Sequence, residues 1–271
     1  YGDQESEQAV GRLVRNRSEK IYVATKCGRR LNPHVNEAYT PAAMRTFVEE
    51  SLTNMGLEYI DLIQLHCPVN EVFYRPEIFR VFEDMQQEGK IGHLGVSVEK
   101  VEQALKAIEF ENVATVQIIF NMFRQRPAEL FFEQAKKRDI GILARVPLAS
   151  GLLTGKFGKD TVFHAGDHRN DNRNGEQFDK GETFSGVDYE TGLKAVQQLE
   201  ATFPDKNLAQ LALRWVLMHD AISCVIPGAS KVSQVEANVQ ASEMAAFSQD
   251  DMSKVAGIYD EFIRGGVHHL W

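Results

Sequence analysis

The sequence predicts an α/β fold with parallel strands, and three observations support this prediction. Six short apolar runs rich in β-branched residues recur along the 271-residue chain. These runs are continuously apolar rather than alternating, which is typical of strands buried on both faces of a parallel sheet. Amphipathic stretches with helix start and stop signals separate them. Because crossovers between parallel strands are right-handed, the pattern leaves a doubly wound sheet or a (β/α)8 barrel.

The apolar runs define the predicted strands in chain order. Their short length and β-branched content favour strands over helices. They occupy residues 21–26, 60–66, 93–97, 115–121, 141–147 and 223–229.

Seven helices are predicted from the stretches that follow these strands. The first begins at an N-cap, Thr40, with proline at the first helical position, and ends at Met55-Gly56. The second, from Pro76 to Gly89, repeats this scheme with apolar residues at helical spacing. The others are predicted over residues 98–110, 127–138, 189–203, 207–219 and 231–241.

Residues 157–186 interrupt the alternation of strands and helices. They are rich in Gly, Asp, Asn, Lys and Arg, so we expect a long flexible βα loop that is either a functional lid or disordered. His164, Asp167 and His168 lie in this loop without a further ligand cluster, so we expect no metal site there. With this loop included, residues 1–271 are expected to form a single domain.

Charge and composition disfavour several classes of protein. The 30 Lys and Arg against 38 Asp and Glu leave a net charge of −8, which argues against a nucleic-acid binder and makes any anion site local. No apolar run approaches the roughly 18 to 20 residues that span a membrane, and no signal pattern opens the chain. We therefore expect a soluble cytoplasmic protein without a membrane partner. Cys27, Cys67 and Cys224 are expected to be reduced core thiols.

Polar and ionisable residues stand at the carboxyl ends of the predicted strands, where α/β barrels place catalytic side chains. They are Lys26, His66, Ser97, Gln117 with Asn121, Arg145 and Pro227-Gly228. A lysine that closes an apolar run is costly to bury unless it is paired; the alternative is that Lys26 emerges into solvent. For His66 the alternative is a structural histidine. Their joint occurrence at two strand ends favours a functional site.

Seven segments carry a resemblance to a known family, in an order and spacing that chance does not explain. They are Tyr1-Gly2 with Ser6-Glu7, VATK, RTFVEESLTNMGLEYIDLIQLH, GKIGHLGVS, VQIIFN, PLASGLLTGK and VIPGASKVSQVEAN. From Tyr1 to about Gln240 the sequence resembles an aldo-keto reductase, of the bacterial oxidoreductase group that is also similar to voltage-gated potassium channel β subunits. The resemblance implies a (β/α)8 barrel. Since six strands are visible, two βα units, roughly 60 residues at about 30 each, are expected to precede Tyr1.

The resemblance implies that the protein reduces an aldehyde or ketone to an alcohol with NADPH, on a small-molecule carbonyl substrate. Tyr1 matches the family's general acid, Lys26 the lysine that stabilises its phenolate, and His66 the histidine that orients the carbonyl oxygen. The family's aspartate would lie five residues before Tyr1. Asp61 is not a substitute, because it begins its strand. Two alternatives stay open: an NADPH-binding regulatory or interaction subunit with little turnover, and an inactive truncated homologue.

The resemblance also implies a set of cofactor contacts. Ser97 and Gln117 match residues that bind the nicotinamide carboxamide, and Arg145 stands where many members have a stacking tyrosine. The loop around the pyrophosphate and the adenosine end comprise Pro147, Leu148, Ser150, Gly151, Leu152, Gly155, Lys156, Gly228, Ser230, Lys231, Gln234 and Asn238. Gly228, Ser230 and Lys231 open a helix whose N–H groups and dipole favour an anion, and Gln234 and Asn238 are four apart on one face. Together these five residues resemble the family's site for the adenosine 2′-phosphate and adenine, which favours NADPH over NADH. Gln234 stands where many relatives have arginine.

Overall fold

The protein is represented by a computed structural model that describes residues 3–271. The described chain divides into two compact units. Unit 1 consists of the described residues up to Val98, Glu102–Val116 and Arg138–Ile140; unit 2 consists of Glu99–Val101, Gln117–Lys137 and Gly141–Trp271. The single-domain organisation expected from the sequence stays a prediction.

Unit 1 alternates helices with parallel strands. Its elements are α1 (Glu5–Arg15), β1 (Ala24–Cys27), α2 (Pro41–Met55), β2 (Ile60–His66), α3 (Pro76–Gln87), β3 (Ile91–Ser97) and most of α4 (Val101–Ala107). Strand β2 pairs in parallel with both β1 and β3. In this register Lys26 lies opposite Gln64, and His66 lies opposite Ser97.

Unit 2 continues the same alternation, and the strand order in the sheet is the chain order. Strand β4 (Val113–Ile119) begins in unit 1 and ends in unit 2. The further elements are α5 (Phe131–Lys137), β5 (Gly141–Arg145), α6 (His168–Asp171), α7 (Tyr189–Thr202), α8 (Leu208–Leu217), β6 (Ile222–Val225), α9 (Val232–Glu243), α10 (Gln249–Ile258) and α11 (Arg264–Val267). Strands β5 and β6 are parallel. The predicted α/β fold with parallel strands is confirmed.

Helix α2 shows how local signals set the ends of an element. The Thr40 hydroxyl accepts a hydrogen bond from the Ala43 amide at 3.1 Å, and Pro41 occupies the first helical position. Gly56 ends the helix with φ 61°, a left-handed conformation that glycine adopts at little cost. Both predicted ends are confirmed because their capping groups adjoin the helix in sequence.

Strand ends and four helices differ from the predictions. The structure starts β1 at Ala24 rather than residue 21 and ends β6 at Val225 rather than residue 229, because apolarity alone does not show where ladder pairing begins and stops. The sequence interpretation missed α1, α10 and the two short helices α6 and α11. Helix α10 has a local signal, since the Ser248 hydroxyl accepts from the Asp251 amide in a capping box.

Residues 157–186 contain more structure than a featureless loop. Asn172 is fully buried, and its side-chain oxygen Oδ1 accepts hydrogen bonds from the backbone amides of Gln177 and Phe178 at 2.9 and 2.8 Å. Its amide group donates to the Thr183 hydroxyl at 3.1 Å. These contacts fold the segment onto itself around one polar side chain; the flexibility expected of it stays a prediction.

The cysteines divide between core and surface. All three are free thiols; Cys27 and Cys67 are buried, as expected. The expectation of a core position is wrong for Cys224, which is exposed on β6. Over residues 3–271, none of the helices has both the length and the apolar character needed to cross a membrane.

Candidate active site

A cavity of about 240 Å³ in unit 1 lies at the carboxyl ends of β1 and β2. Lys26 is in β1 opposite Gln64, and His66 is the last residue of β2. Because side chains alternate along a strand, Gln64 and His66 lie on the same face of the sheet as Lys26. Lys26 and His66 both line the cavity, so the structure brings these two predicted catalytic residues together.

Tyr1, the predicted general acid, lies outside the described residues. The segment that follows it contributes Asp3, Gln4 and Glu7 to the lining of the same cavity. The amino-terminal segment and the ends of two strands therefore meet at one place in unit 1.

Glu7 is a site residue that the sequence interpretation missed. Its carboxylate accepts hydrogen bonds from the hydroxyls of Thr25 and Ser51, both at 2.8 Å, and from the side-chain amide of Asn54 at 2.7 Å. Partial burial opposes its ionisation, but the three hydrogen bonds outweigh burial and hold the pKa of Glu7 below its usual value. Since Thr25 adjoins Lys26, this carboxylate ties α1 and α2 to the strand that carries the lysine.

The paired strands show where two other residues of the sequence analysis, Asp61 and Ser97, lie relative to the cavity. Asp61 accepts a hydrogen bond from the Val23 amide at 2.9 Å and pairs with Lys20 at 3.0 Å, at the amino end of β2. At about 3.3 Å per residue it lies about 16 Å along the strand from His66, so it is not the partner of Lys26. Ser97 is buried opposite His66 and is not among the residues that line the cavity.

Cys27 also lines the unit 1 cavity. Burial raises the pKa of its thiol, so the reactive thiolate is disfavoured. The thiol is therefore a poor nucleophile, and Lys26 and His66 stay the predicted catalytic residues of this cavity.

A second cavity, of about 820 Å³, lies within unit 2 and is lined by the loops that follow β5 and β6. Eight of the twelve residues predicted for the pyrophosphate and adenosine contacts line it. They are Pro147, Leu148, Ser150, Gly151, Lys156, Gly228, Ser230 and Gln234.

Two glycines shape this second cavity. Gly151 has φ 100°, and a Cβ atom there would lie 2.7 Å from the Phe157 ring. At Gly228 a Cβ would meet no heavy atom within 4 Å. The first glycine permits a tight loop, and the second leaves open space in the cavity wall for a ligand to approach the backbone.

Residues 157–186 contribute side chains to the cavity that were not predicted. His168 and Arg169 line it beside Lys156. Asp167 accepts hydrogen bonds from the Arg169 side chain and amide, which lower the pKa of Asp167 to about 2. The Arg169 guanidinium lies 4.6 Å from the Phe163 ring centroid. The sequence predicts a lid or a disordered loop here, and its charged composition does not show that His168 and Arg169 line the cavity.

Several predicted cofactor residues lie elsewhere in unit 2. Arg145 is buried and pairs with Glu182 at 3.1 Å, and Gln117 is buried in β4. Asn238 lies one turn further along α9 than Gln234 and lines a separate apolar cavity of about 410 Å³. Leu152, Gly155 and Lys231 are also not among the residues that line the 820 Å³ cavity, Leu152 because it is buried in the core.

Gln234 lines the cavity but has a local role as well. Its side-chain oxygen accepts hydrogen bonds from the amides of Ser230 and Lys231, at 2.7 and 3.1 Å. The side chain thereby caps the amino terminus of α9.

Comparison with known proteins shows which family the chain matches. Residues 1–260 match the model of the Aldo/keto reductase family. An uncharacterised oxidoreductase of Bacillus subtilis is 28% identical over 255 residues, which cover 93% of this chain and 78% of that protein. The holo form of an aldo-keto reductase of Bacillus halodurans is 25% identical with a TM-score of 0.75, over 95% of this chain and 79% of that one. A glycerol dehydrogenase of Gluconobacter oxydans is 31% identical with a TM-score of 0.76, over 97% and 79%. The resemblance carried by the seven segments is thereby confirmed.

Proposed function

The chain belongs to the aldo/keto reductase family of oxidoreductases, and from that premise we propose that it reduces an aldehyde or ketone to an alcohol with NADPH as hydride donor and Tyr1 as general acid. The observation that carries the proposal is the placement of Lys26 and His66 in one cavity at adjacent strand ends. A carbonyl reductase needs a cation and a hydrogen-bond donor beside its acid, and these two side chains can supply them.

The proposed roles follow from the proton that carbonyl reduction consumes. A phenol is a poor acid at neutral pH, since its ordinary pKa is about 10. An ammonium group nearby stabilises the phenolate, so Lys26 eases transfer of the Tyr1 proton to the carbonyl oxygen. His66 donates a hydrogen bond to that oxygen and orients it. Glu7 acts as a positioning residue, because it holds Thr25 next to the lysine.

The cofactor supplies the hydride when it is bound. The unit 2 cavity suits a ligand of this class, because its volume of about 820 Å³ lies within the range of roughly 300 to 1,000 Å³ typical of ligand sites. In the proposal Lys156 and Arg169 bind phosphate oxygens, and Gly228 lets the ligand approach the backbone. Preference for NADPH is assigned to Ser230 and Lys231 at the amino terminus of α9.

Turnover of carbonyl compounds tests the proposal. The protein is incubated with NADPH and a panel of aromatic and short-chain aldehydes, and the loss of NADPH absorbance is followed. We expect turnover of at least one aldehyde, and none in a parallel series without protein. NADPH binding without turnover of any compound would contradict the enzyme and favour a cofactor-binding subunit.

A further inference from the structure

Trp271 is buried in unit 2 and has no role in the proposed reaction. It is 6% exposed, and its ring lies 4.1 Å from the Arg124 guanidinium. Its indole nitrogen donates a hydrogen bond to the Asp179 carboxylate at 2.8 Å. The residue is thus held by its face and by its polar edge.

Arg124 links Trp271 to the segment of residues 179–186, called the latch segment below. Arg124 is 1% exposed, and its guanidinium donates to the carbonyl oxygens of Gly181 and Ser185, at 3.2 and 2.9 Å. Burial lowers the pKa of Arg124 to about 9, so the side chain stays charged at neutral pH. The Trp271 ring face and the two carbonyl oxygens stabilise this buried charge. Arg124 therefore holds the ring and the two carbonyl groups in fixed positions relative to one another.

Two glycines bring the latch segment against these side chains. A Cβ atom at Gly181 would lie 2.5 Å from the Arg124 guanidinium and 2.7 Å from the Trp271 ring. A Cβ atom at Gly186, which has φ 77°, would lie 2.5 Å from the same ring. Side chains at these positions would push the segment away from Trp271.

The other side of the latch segment contacts the loop that follows β5. The Ser150 hydroxyl donates to the Glu182 carbonyl oxygen at 3.2 Å and accepts from the Phe184 amide at 3.0 Å. The Asn121 side chain donates to the Ser185 hydroxyl at 2.8 Å. Ser150 and Glu182 both line the 820 Å³ cavity. The latch segment therefore connects Trp271 and Arg124 to the wall of that cavity.

We propose that Trp271 and Arg124 form a latch that holds the latch segment on the loop after β5 and so slows release of the cofactor. This inference rests on the proposed function, because it takes NADPH as the ligand of the unit 2 cavity. Neither side chain is among the residues that line the cavity, so both are positioning residues.

The first test measures the dissociation rate of NADPH by stopped-flow fluorescence. Trp271→Ala removes the ring over the guanidinium and the hydrogen bond to Asp179, and we expect release about tenfold faster than in the wild type. Trp271→Phe keeps a ring over Arg124 and loses only the donor, so its rate is expected to fall between the two. Leu270→Ala, at a neighbouring side chain that is 42% exposed, is the control and should release NADPH at the wild-type rate.

The second test follows amide hydrogen exchange in the NADPH-free protein. We expect Trp271→Ala and Gly186→Ala to speed exchange in the latch segment and to leave α3 unchanged. Gly266→Ala is the matched control, because a Cβ at Gly266 meets no atom within 4 Å. Unchanged exchange in the latch segment would overturn the latch. If Trp271→Ala does not fold, the exchange rates of Trp271→Phe and Gly186→Ala decide the question instead.

The two tests separate the latch from the proposed function. Faster exchange with unchanged NADPH release would overturn the link between latch and cofactor. A wild-type protein that binds no NADPH would overturn the proposed function and that link together, while exchange in the latch segment would still decide whether the latch exists.

Discussion

The two candidate sites are built in different ways. In unit 1, Lys26 and His66 lie on strands, and the register of β1 and β2 determines which face they share. In unit 2, the cavity is lined mostly by loops, and side-chain contacts such as those of Ser150 hold these loops in place. Lys26 and His66, two of the groups proposed to react, therefore lie on strands, and the groups proposed to bind the cofactor lie mostly on loops. Substitutions in unit 1 should change the rate of reaction, and substitutions in unit 2 should change binding.

The largest expected effect is on turnover, from Lys26→Met. In the proposed reaction the ammonium stabilises the phenolate of Tyr1, so its loss is expected to lower kcat on the order of 10³-fold. The dissociation constant of NADPH should change by less than about twofold, because Lys26 lines the unit 1 cavity and not the unit 2 cavity proposed for the cofactor. A twofold change corresponds to less than about 0.5 kcal/mol. Steady-state kinetics and fluorescence titration provide the two measurements.

Lys20→Met is the control for this variant, because Lys20 is an exposed lysine paired with Asp61. It should leave both quantities near the wild-type values. If Lys26→Met weakened NADPH binding as strongly as it slowed turnover, the division of labour between the two units would be wrong.

The second effect is on stability, from Glu7→Ala. The substitution leaves three donors without their carboxylate, so we expect a loss of about 2 kcal/mol in the free energy of unfolding, measured in urea. Because the folded pKa of Glu7 lies below its unfolded value, the wild-type contribution is present above the unfolded pKa and is lost as pH falls through the folded pKa. The difference between wild type and variant should therefore shrink on acidification.

Glu5→Ala is the matched control, at an exposed acidic residue in the same first turn of α1. It should cost only a few tenths of a kcal/mol. Equal losses for Glu5→Ala and Glu7→Ala would mean that the hydrogen bonds of Glu7 do not anchor the unit 1 site.

The smallest expected effect is on cofactor preference, from Lys231→Ala. Removal of this charge at the start of α9 should weaken NADPH binding about tenfold and leave NADH unchanged, because only NADPH carries the 2′-phosphate. Lys231 does not itself line the cavity but adjoins Ser230, which does; Lys159→Ala, at an exposed lysine away from α9, is therefore the control. Equal losses for both cofactors would move the phosphate contact away from Lys231, and Arg169→Gln would then test the neighbouring cation.

Prediction from sequence succeeded where the relevant contacts are local. Thr40 and Gly56 mark the ends of α2 because capping involves neighbouring residues. Lys26 and His66 were expected to lie close together because the carboxyl ends of parallel strands lie at one edge of a sheet, and they line one cavity; their catalytic role stays a prediction. Glu7 was missed as a site residue because its partners Ser51 and Asn54 lie in another helix, and no local pattern indicates that pairing.

The sequence by itself determined the α/β fold, the family resemblance and the two strand-end residues, since periodicity, capping and strand order are written in short stretches of chain. Only the tertiary structure decided that Arg169 lines the unit 2 cavity and that Asn238 does not. It also decided that Trp271 packs on Arg124. These contacts join residues far apart in the chain, and their geometry depends on how loops pack, which side-chain chemistry alone does not specify.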